Sequence, residues 1–235
     1  MRSQILFNDG WLYLEEEVGL EATDKRFQKV TLPHTNKLFS HHNIDNEEYQ
    51  FTSTYRKYFP HPGDLNRAQV ILEFQGVLLA SRIYLNGLLV GEFLGGFKPH
   101  KINLTDYLKQ GQNSLTVYVD SRERKDIPPF GHLVDYLTFG GIYRDVIFSI
   151  LPEHHIRNIF LKTFHVLENP LLSCEVQLSQ VVSDTRLEVI LLDEKGNQVA
   201  EVQREASAPT TVLDFKTLPA IRLWDVDDPV LYQAQ

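Results

Sequence analysis

The residues best equipped for chemistry lie between Asp126 and Asp145, a long loop loaded with aromatics that closes on the pair Gly140-Gly141. It holds Phe130, His132, Asp135, Tyr136 and Phe139 within a short span. Aromatic faces stack on the apolar face of a sugar ring, and carboxylates accept paired hydrogen bonds from its hydroxyls. The same composition also suits a loop that merely covers a β-sandwich, because most loop aromatics serve packing. On the residues alone, both readings stay open.

Elsewhere the chemistry is thin. Gly95-Gly96 lacks the spacing and the following helix of a phosphate loop, and a tight turn explains it better. His41-His42 and His154-His155 are adjacent pairs, whose side chains point to opposite faces of an extended chain and fit no zinc spacing, so no metal site is expected. The 31 Asp and Glu residues form no obvious catalytic pair. Glu15-Glu16-Glu17 and Glu47-Glu48 read as solvated charge runs. There is no Gly-x-Ser-x-Gly and no plausible triad. Within these residues no catalytic group and no cofactor site is expected.

Composition narrows the partners. The chain has 235 residues, 43% hydrophobic, with a net charge of -8 and no block of Lys or Arg. A mildly acidic chain of this kind is a poor match for phosphate backbones, so nucleic acid is not an expected partner. The first ten residues contain no apolar h-region, and no apolar run reaches the roughly 20 residues needed to span a bilayer. No membrane association is expected, and the expected location is the cytoplasm. Cys174, the single cysteine, lies in the apolar segment Leu171-Leu172-Ser173-Cys174-Glu175-Val176 and reads as a packing residue.

The elements that must position the loop are strands. Residues 69–74 and 114–119 alternate with period two. Residues 81–85, Asn86-Gly87 and residues 88–93 predict a hairpin, because Asn-Gly tolerates the positive φ of a type I′ turn at both centres. Further strands are expected at 143–150, 156–163, 172–182, 186–192, 198–205 and 210–215, with another beginning at Val230. Helix is scarce; the best segment is 105–109, with Thr105 as N-cap and Gly111 closing it. Many short strands joined by turns predict an all-β chain of sandwiches, divided near Leu151-Pro152-Glu153 into residues 1–151 and 152–235. The second sandwich is expected to be incomplete at its C-terminal side.

A series of phrases, in order along nearly the whole chain, resembles family-two glycoside hydrolases of the β-galactosidase and β-glucuronidase type. They are Val30-Thr31-Leu32-Pro33-His34-Thr35, Thr54-Tyr55-Arg56-Lys57-Tyr58-Phe59, Phe74-Gln75-Gly76-Val77, Tyr84-Leu85-Asn86-Gly87 and Val90-Gly91. Gly95-Gly96-Phe97-Lys98-Pro99, Gly140-Gly141-Ile142-Tyr143-Arg144-Asp145-Val146, Leu223-Trp224 and Asp228-Pro229-Val230-Leu231-Tyr232 complete the series. Ser121 is a departure, since relatives often carry Asn there.

The resemblance implies a jelly-roll, galactose-binding-like sandwich followed by an immunoglobulin-like one, with a (β/α)₈ barrel beyond. In such enzymes two barrel glutamates, roughly 5 Å apart, carry out retaining hydrolysis. A barrel needs about 250 residues of its own, so it is expected to lie outside this all-β chain. By resemblance, Asp135 matches an aspartate that contacts the terminal sugar, with Tyr136 a weaker ligand beside it. Arg144 and Asp145 are expected to be structural partners. The implied function is the N-terminal, non-catalytic part of a retaining exo-β-glycosidase, β-galactosidase foremost, acting on a β-linked glycoside and homo-oligomeric as the whole protein. A stand-alone carbohydrate-binding module or lectin, and an oligomer-assembly domain, remain alternatives.

Overall fold

The computed structural model describes residues 2–38, 46–128, 138–219 and 221–235. It divides into two compact units, Met1–Pro152 and Glu153–Gln235. Asp135 and Tyr136, like His41 and His42, lie outside the described residues.

Among the described residues the first unit is a sandwich of ten strands: β1 (Ser3–Leu6), β2 (Trp11–Leu14), β3 (Gln28–Val30), β4 (Thr52–Pro60), β5 (Ala68–Phe74), β6 (Ala80–Leu85), β7 (Leu88–Leu94), β8 (His100–Asn103), β9 (Gln112–Asp120) and β10 (Val146–Pro152). One sheet runs β1-β10-β5-β8 and the other β3-β2-β4-β9-β6-β7. The inward half of each alternating strand supplies the core: Val70, Leu72 and Phe74 from β5, Val146 and Phe148 from β10, and Tyr55, Ile83, Leu85, Leu115, Val117 and Val119 from the facing sheet. Trp11 is fully buried among them, its indole N–H donating to Phe7 O at 2.8 Å. The Asn86-Gly87 turn takes φ of 53° and 88°, the positive values that a type I′ turn requires.

The outer face of the larger sheet is polar, yet much of it is buried. Thr54, Arg56, Thr116 and Tyr118 stand side by side on β4 and β9, and each is at most 5% exposed. The segment from Glu15 to Phe27 lies over them as a strap. Thr54 Oγ1 donates to Glu16 O at 2.7 Å and Tyr118 OH to Val18 O at 2.6 Å. The Arg56 guanidinium reaches Ala22 O at 2.6 Å, Leu20 O at 3.1 Å and the Asp24 carboxylate at 2.7 Å, with Phe27's ring 5.0 Å away. Buried donors thus meet the carbonyls of a strand-free segment, as burial of polar groups demands. The glutamates of the strap face solvent, where Glu15 pairs with Lys37 and Glu17 with Arg82, both at 2.7 Å.

The second unit pairs β11 (Ile156–Phe164), β12 (Leu171–Leu178) and β15 (Thr210–Phe215) in one sheet. The facing sheet holds β14 (Gln198–Glu205), β13 (Arg186–Leu192) and β16 (Gln233–Ala234). Cys174 is buried in its core with Val176, Leu213 and Phe215, and burial pushes its thiol pKa up. The chain is therefore all-β, a jelly-roll sandwich followed by an immunoglobulin-like one.

Three local expectations shift. β10 begins at Val146 rather than Tyr143, because Tyr143, Arg144 and Asp145 are engaged outside the ladder. The short helix is a 3₁₀ turn at Thr105–Tyr107 capped by Leu104; Thr105 lies within it, and its hydroxyl instead accepts from Val70 N at 2.9 Å. The last strand starts at Gln233, pairing with β13, and Val230 is a buried residue before it.

Candidate functional site

The residues on either side of the segment that carries Asp135 and Tyr136 are anchored in the first unit. On the entry side, Ile127 is buried against Leu78, Leu79 and Ala80, with Tyr143 packed alongside. Arg124 grips Asp126 through both carboxylate oxygens, at 3.0 and 2.9 Å, and this holds the Asp126 carboxyl below its usual range.

The exit is tighter. Gly140 O accepts from Asn36 N at 2.9 Å, and Gly141 exchanges both backbone hydrogen bonds with Leu78, at 3.0 and 3.2 Å. His34 N then donates to Ile142 O at 2.8 Å. Gly140 has no room for a side chain: a Cβ there would lie 2.2 Å from Ser121 Cβ. At Gly141, whose φ is 112°, it would lie 2.6 Å from His34 O. The glycine pair is thus fixed by close packing as well as by backbone conformation.

Behind the glycines sits a buried polar cluster. Tyr13 OH donates to Asn36 O, and His34 Nδ1 lies 2.9 Å from Tyr55 OH. The Asn36 amide donates to Tyr49 O at 2.7 Å and to Ser121 Oγ at 3.0 Å, while its Oδ1 is buried and has no hydrogen-bond partner among the described residues. Ser121 completes the tie, its hydroxyl accepting from Phe51 N at 3.2 Å and lying 2.9 Å from Tyr49 O. Gly140 passes directly over this small hydroxyl, its would-be Cβ 2.7 Å from Ser121 Oγ.

Burial raises the pKa of both tyrosines and lowers that of His34. All three are neutral hydrogen-bonding groups at neutral pH. The composition of the sequence gives no hint of this cluster, since its members come from four separate segments.

Arg144 and Asp145 are structural, as expected. Asp145 Oδ1 accepts from Asn8 Nδ2 at 2.8 Å, and Arg144 lies over the Tyr143 ring at 5.3 Å. Tyr143 OH in turn donates to Gly96 O at 2.6 Å, tying the Gly95-Gly96 turn to the loop's exit. Beside that exit opens an apolar groove of about 440 Å³, lined by Leu38, Leu78, Phe97, Phe139 and Tyr143. Among the described residues no cluster of three or more His, Cys, Asp or Glu side chains is arranged to hold a metal ion. His154 instead meets Gln180 at 2.7 Å. No helix among the described residues is long and apolar enough to cross a membrane.

The arrangement can hold a loop base rigidly and present what the loop carries. Comparison with known proteins places it. Residues 32–129 match the family model described as the glycosyl hydrolase 2 galactose-binding domain-like. A β-galactosidase of Thermoanaerobacter pseudethanolicus is 43% identical over 68% of this chain and 22% of its own length. A β-galactosidase of Thermoanaerobacterium thermosulfurigenes is 37% identical over 99% of this chain and 34% of its own. The crystal structure of a β-glucuronidase from Bacteroides uniformis superposes on the whole chain with a TM-score of 0.85 and 25% identity, over 30% of that protein. The chain therefore spans about a fifth to a third of the length of the curated relatives it matches. With its two sandwiches and the matched segment taken together, the chain belongs to the glycosyl hydrolase 2 family and holds that family's galactose-binding-like region.

Proposed function

We propose that the chain is the N-terminal, non-catalytic part of a retaining exo-β-glycosidase of β-galactosidase type, and that Asp135 serves its sugar pocket. The observation that carries this reading is the alignment with β-galactosidases at 43% and 37% identity, each covered only in part. The anchored base of the 129–137 segment supports the role of Asp135 as a ligand for a glycone hydroxyl, with Tyr136 beside it. A carboxylate that must meet a hydroxyl in one geometry needs a fixed base, and Ile127 on one side with Gly140-Gly141 on the other provides one.

In this reading the two glutamates that cut the bond stand on a barrel outside these residues, so the chain alone does not hydrolyse glycosides. It asks for no cofactor of its own, works in the cytoplasm and assembles as a homo-oligomer. The likeness to a β-glucuronidase structure supports a second glycone, a glucuronide, handled by the same scaffold.

The test uses chromogenic β-galactoside and β-glucuronide. The purified 235 residues should give no turnover, and a longer protein that includes them should be active. In that protein Asp135→Ala should lower kcat/KM roughly ten-fold or more, the loss of a hydrogen bond to a charged group. Turnover by the 235 residues alone, or unchanged kinetics in the variant, would overturn the proposal. Calorimetric binding of free galactose by the isolated chain would favour a stand-alone binding module instead.

A further inference from the structure

Asn36, 1% exposed, meets Gly140 in two ways. Its backbone N–H donates to Gly140 O at 2.9 Å, and its side-chain Nδ2 lies 2.8 Å from where a Cβ on Gly140 would stand. The same Nδ2 donates to Tyr49 O at 2.7 Å and to Ser121 Oγ at 3.0 Å, and Tyr13 OH donates to the backbone O. One residue thus joins its own segment to those of Tyr13, Tyr49, Ser121 and Gly140, beside the residues that follow 129–137 in the chain.

Stability alone does not call for an amide at this position. The fold supplies Asn36 Oδ1 with no donor among the described residues, and a buried acceptor left unpaired offsets much of what a hydrogen bond gains. Turning the amide over would not help, since Oδ1 would then face Tyr49 O, one acceptor against another. Removing the amide, by contrast, orphans nothing. Ser121 Oγ lies 2.9 Å from Tyr49 O and is free to donate there, because Phe51 O already accepts from Ser121 N at 3.1 Å. The same hydroxyl still accepts from Phe51 N at 3.2 Å. What the amide adds is direction: its two bonds, one to a carbonyl and one to a hydroxyl, fix the side chain against Gly140. A buried polar group that breaks the pairing rule in a native fold marks a place where geometry matters more than stability.

We propose that Asn36 is a positioning residue, whose side-chain amide sets the placement of Gly140 and, through it, of Asp135 five residues earlier for contact with the glycone. This rests on the reading of Asp135 as a sugar ligand, and adds to it a residue that itself touches no sugar.

The test is a double-mutant cycle in the longer, active protein that includes these residues. Asn36→Ala keeps the backbone bond to Gly140 O and removes only the amide. It should lower kcat/KM for a chromogenic β-galactoside about five- to ten-fold, chiefly through a higher KM. In an Asp135→Ala background the same change should cost less than about two-fold, because the group that it positions is gone. In the 235-residue chain Asn36→Ala should lower the urea midpoint by less than about 1 M. Losses that multiply in the double variant, a fall in kcat at constant KM, or a larger midpoint shift, loss of folding included, would each overturn the proposal and leave Asn36 a structural residue. Full activity of Asn36→Ala beside a weakened Asp135→Ala would also overturn it, with the reading of Asp135 intact. Unchanged kinetics in Asp135→Ala itself would instead remove that reading, and this proposal with it.

Discussion

Replacing Gly141 by alanine tests whether the base of the Asp135 loop is held as described. Two costs add at this position. A φ of 112° is foreign to an L residue, and such strain costs about 1–3 kcal/mol. The new methyl would also sit 2.6 Å from His34 O, 2.8 Å from Tyr55 OH and 2.9 Å from Asn36 N. Two of these are backbone atoms of a segment held by His34 N donating to Ile142 O and Asn36 N to Gly140 O, so they cannot swing aside. Overpacking of this sort costs about 1–3 kcal/mol.

The sum, about 2–6 kcal/mol, divided by a urea slope of about 2 kcal/mol/M for a domain of this size, lowers the midpoint by about 1–3 M. Gly111→Ala isolates the first cost, since Gly111 has a φ of 82° and nothing within 4 Å of its would-be Cβ. Its midpoint should fall by about half as much or less. Gly19→Ala carries neither cost and should leave the midpoint unchanged or slightly raised. The readout is the fluorescence of buried Trp11, followed in a Trp224→Phe background so that only the first unit reports. A Gly141→Ala shift no larger than that of Gly111→Ala would refute the close-packing argument.

Three further outcomes are expected. Arg56→Ala strips the strap of its guanidinium donors and should cost the first unit about 3 kcal/mol, tempered because Asp24 is a third exposed; faster limited proteolysis between Glu15 and Phe27 reads it out. Burial holds His34 below 6.5, so the unfolded chain binds a proton that the native one refuses. Stability should be full above about pH 6.5 and decline as pH falls from there, by at most about 1.4 kcal/mol per pH unit. His34→Gln should flatten that decline between about pH 7 and 5, and denaturation midpoints for the pair measure the difference. The Cys174 thiol, buried and with its pKa pushed up, should react with Ellman's reagent at least about a hundred-fold slower in the native chain than in urea; rapid native labelling would place it elsewhere than the core.

What the sequence determined is local and repetitive. Period-two alternation at 69–74 and 114–119 marks strands because one face of each must be buried, and the structure has strands at both. Asn86-Gly87 specified its turn through φ alone, a property of two residues. The ordered series of phrases was specific enough to indicate the family that the comparisons show. Tertiary structure decided what depends on residues far apart. It brought Tyr13, His34, Asn36, Tyr55 and Ser121 into one buried cluster behind Gly140-Gly141. It also covered a polar sheet face with the 15–27 strap, and set β1 against β10 across almost the whole first unit. None of these has a period or a short motif to betray it. A hydrogen bond between Asn36 and Ser121 exists only once both ends of the sandwich are in place, so its energy is a property of the fold and has no local signature in either segment.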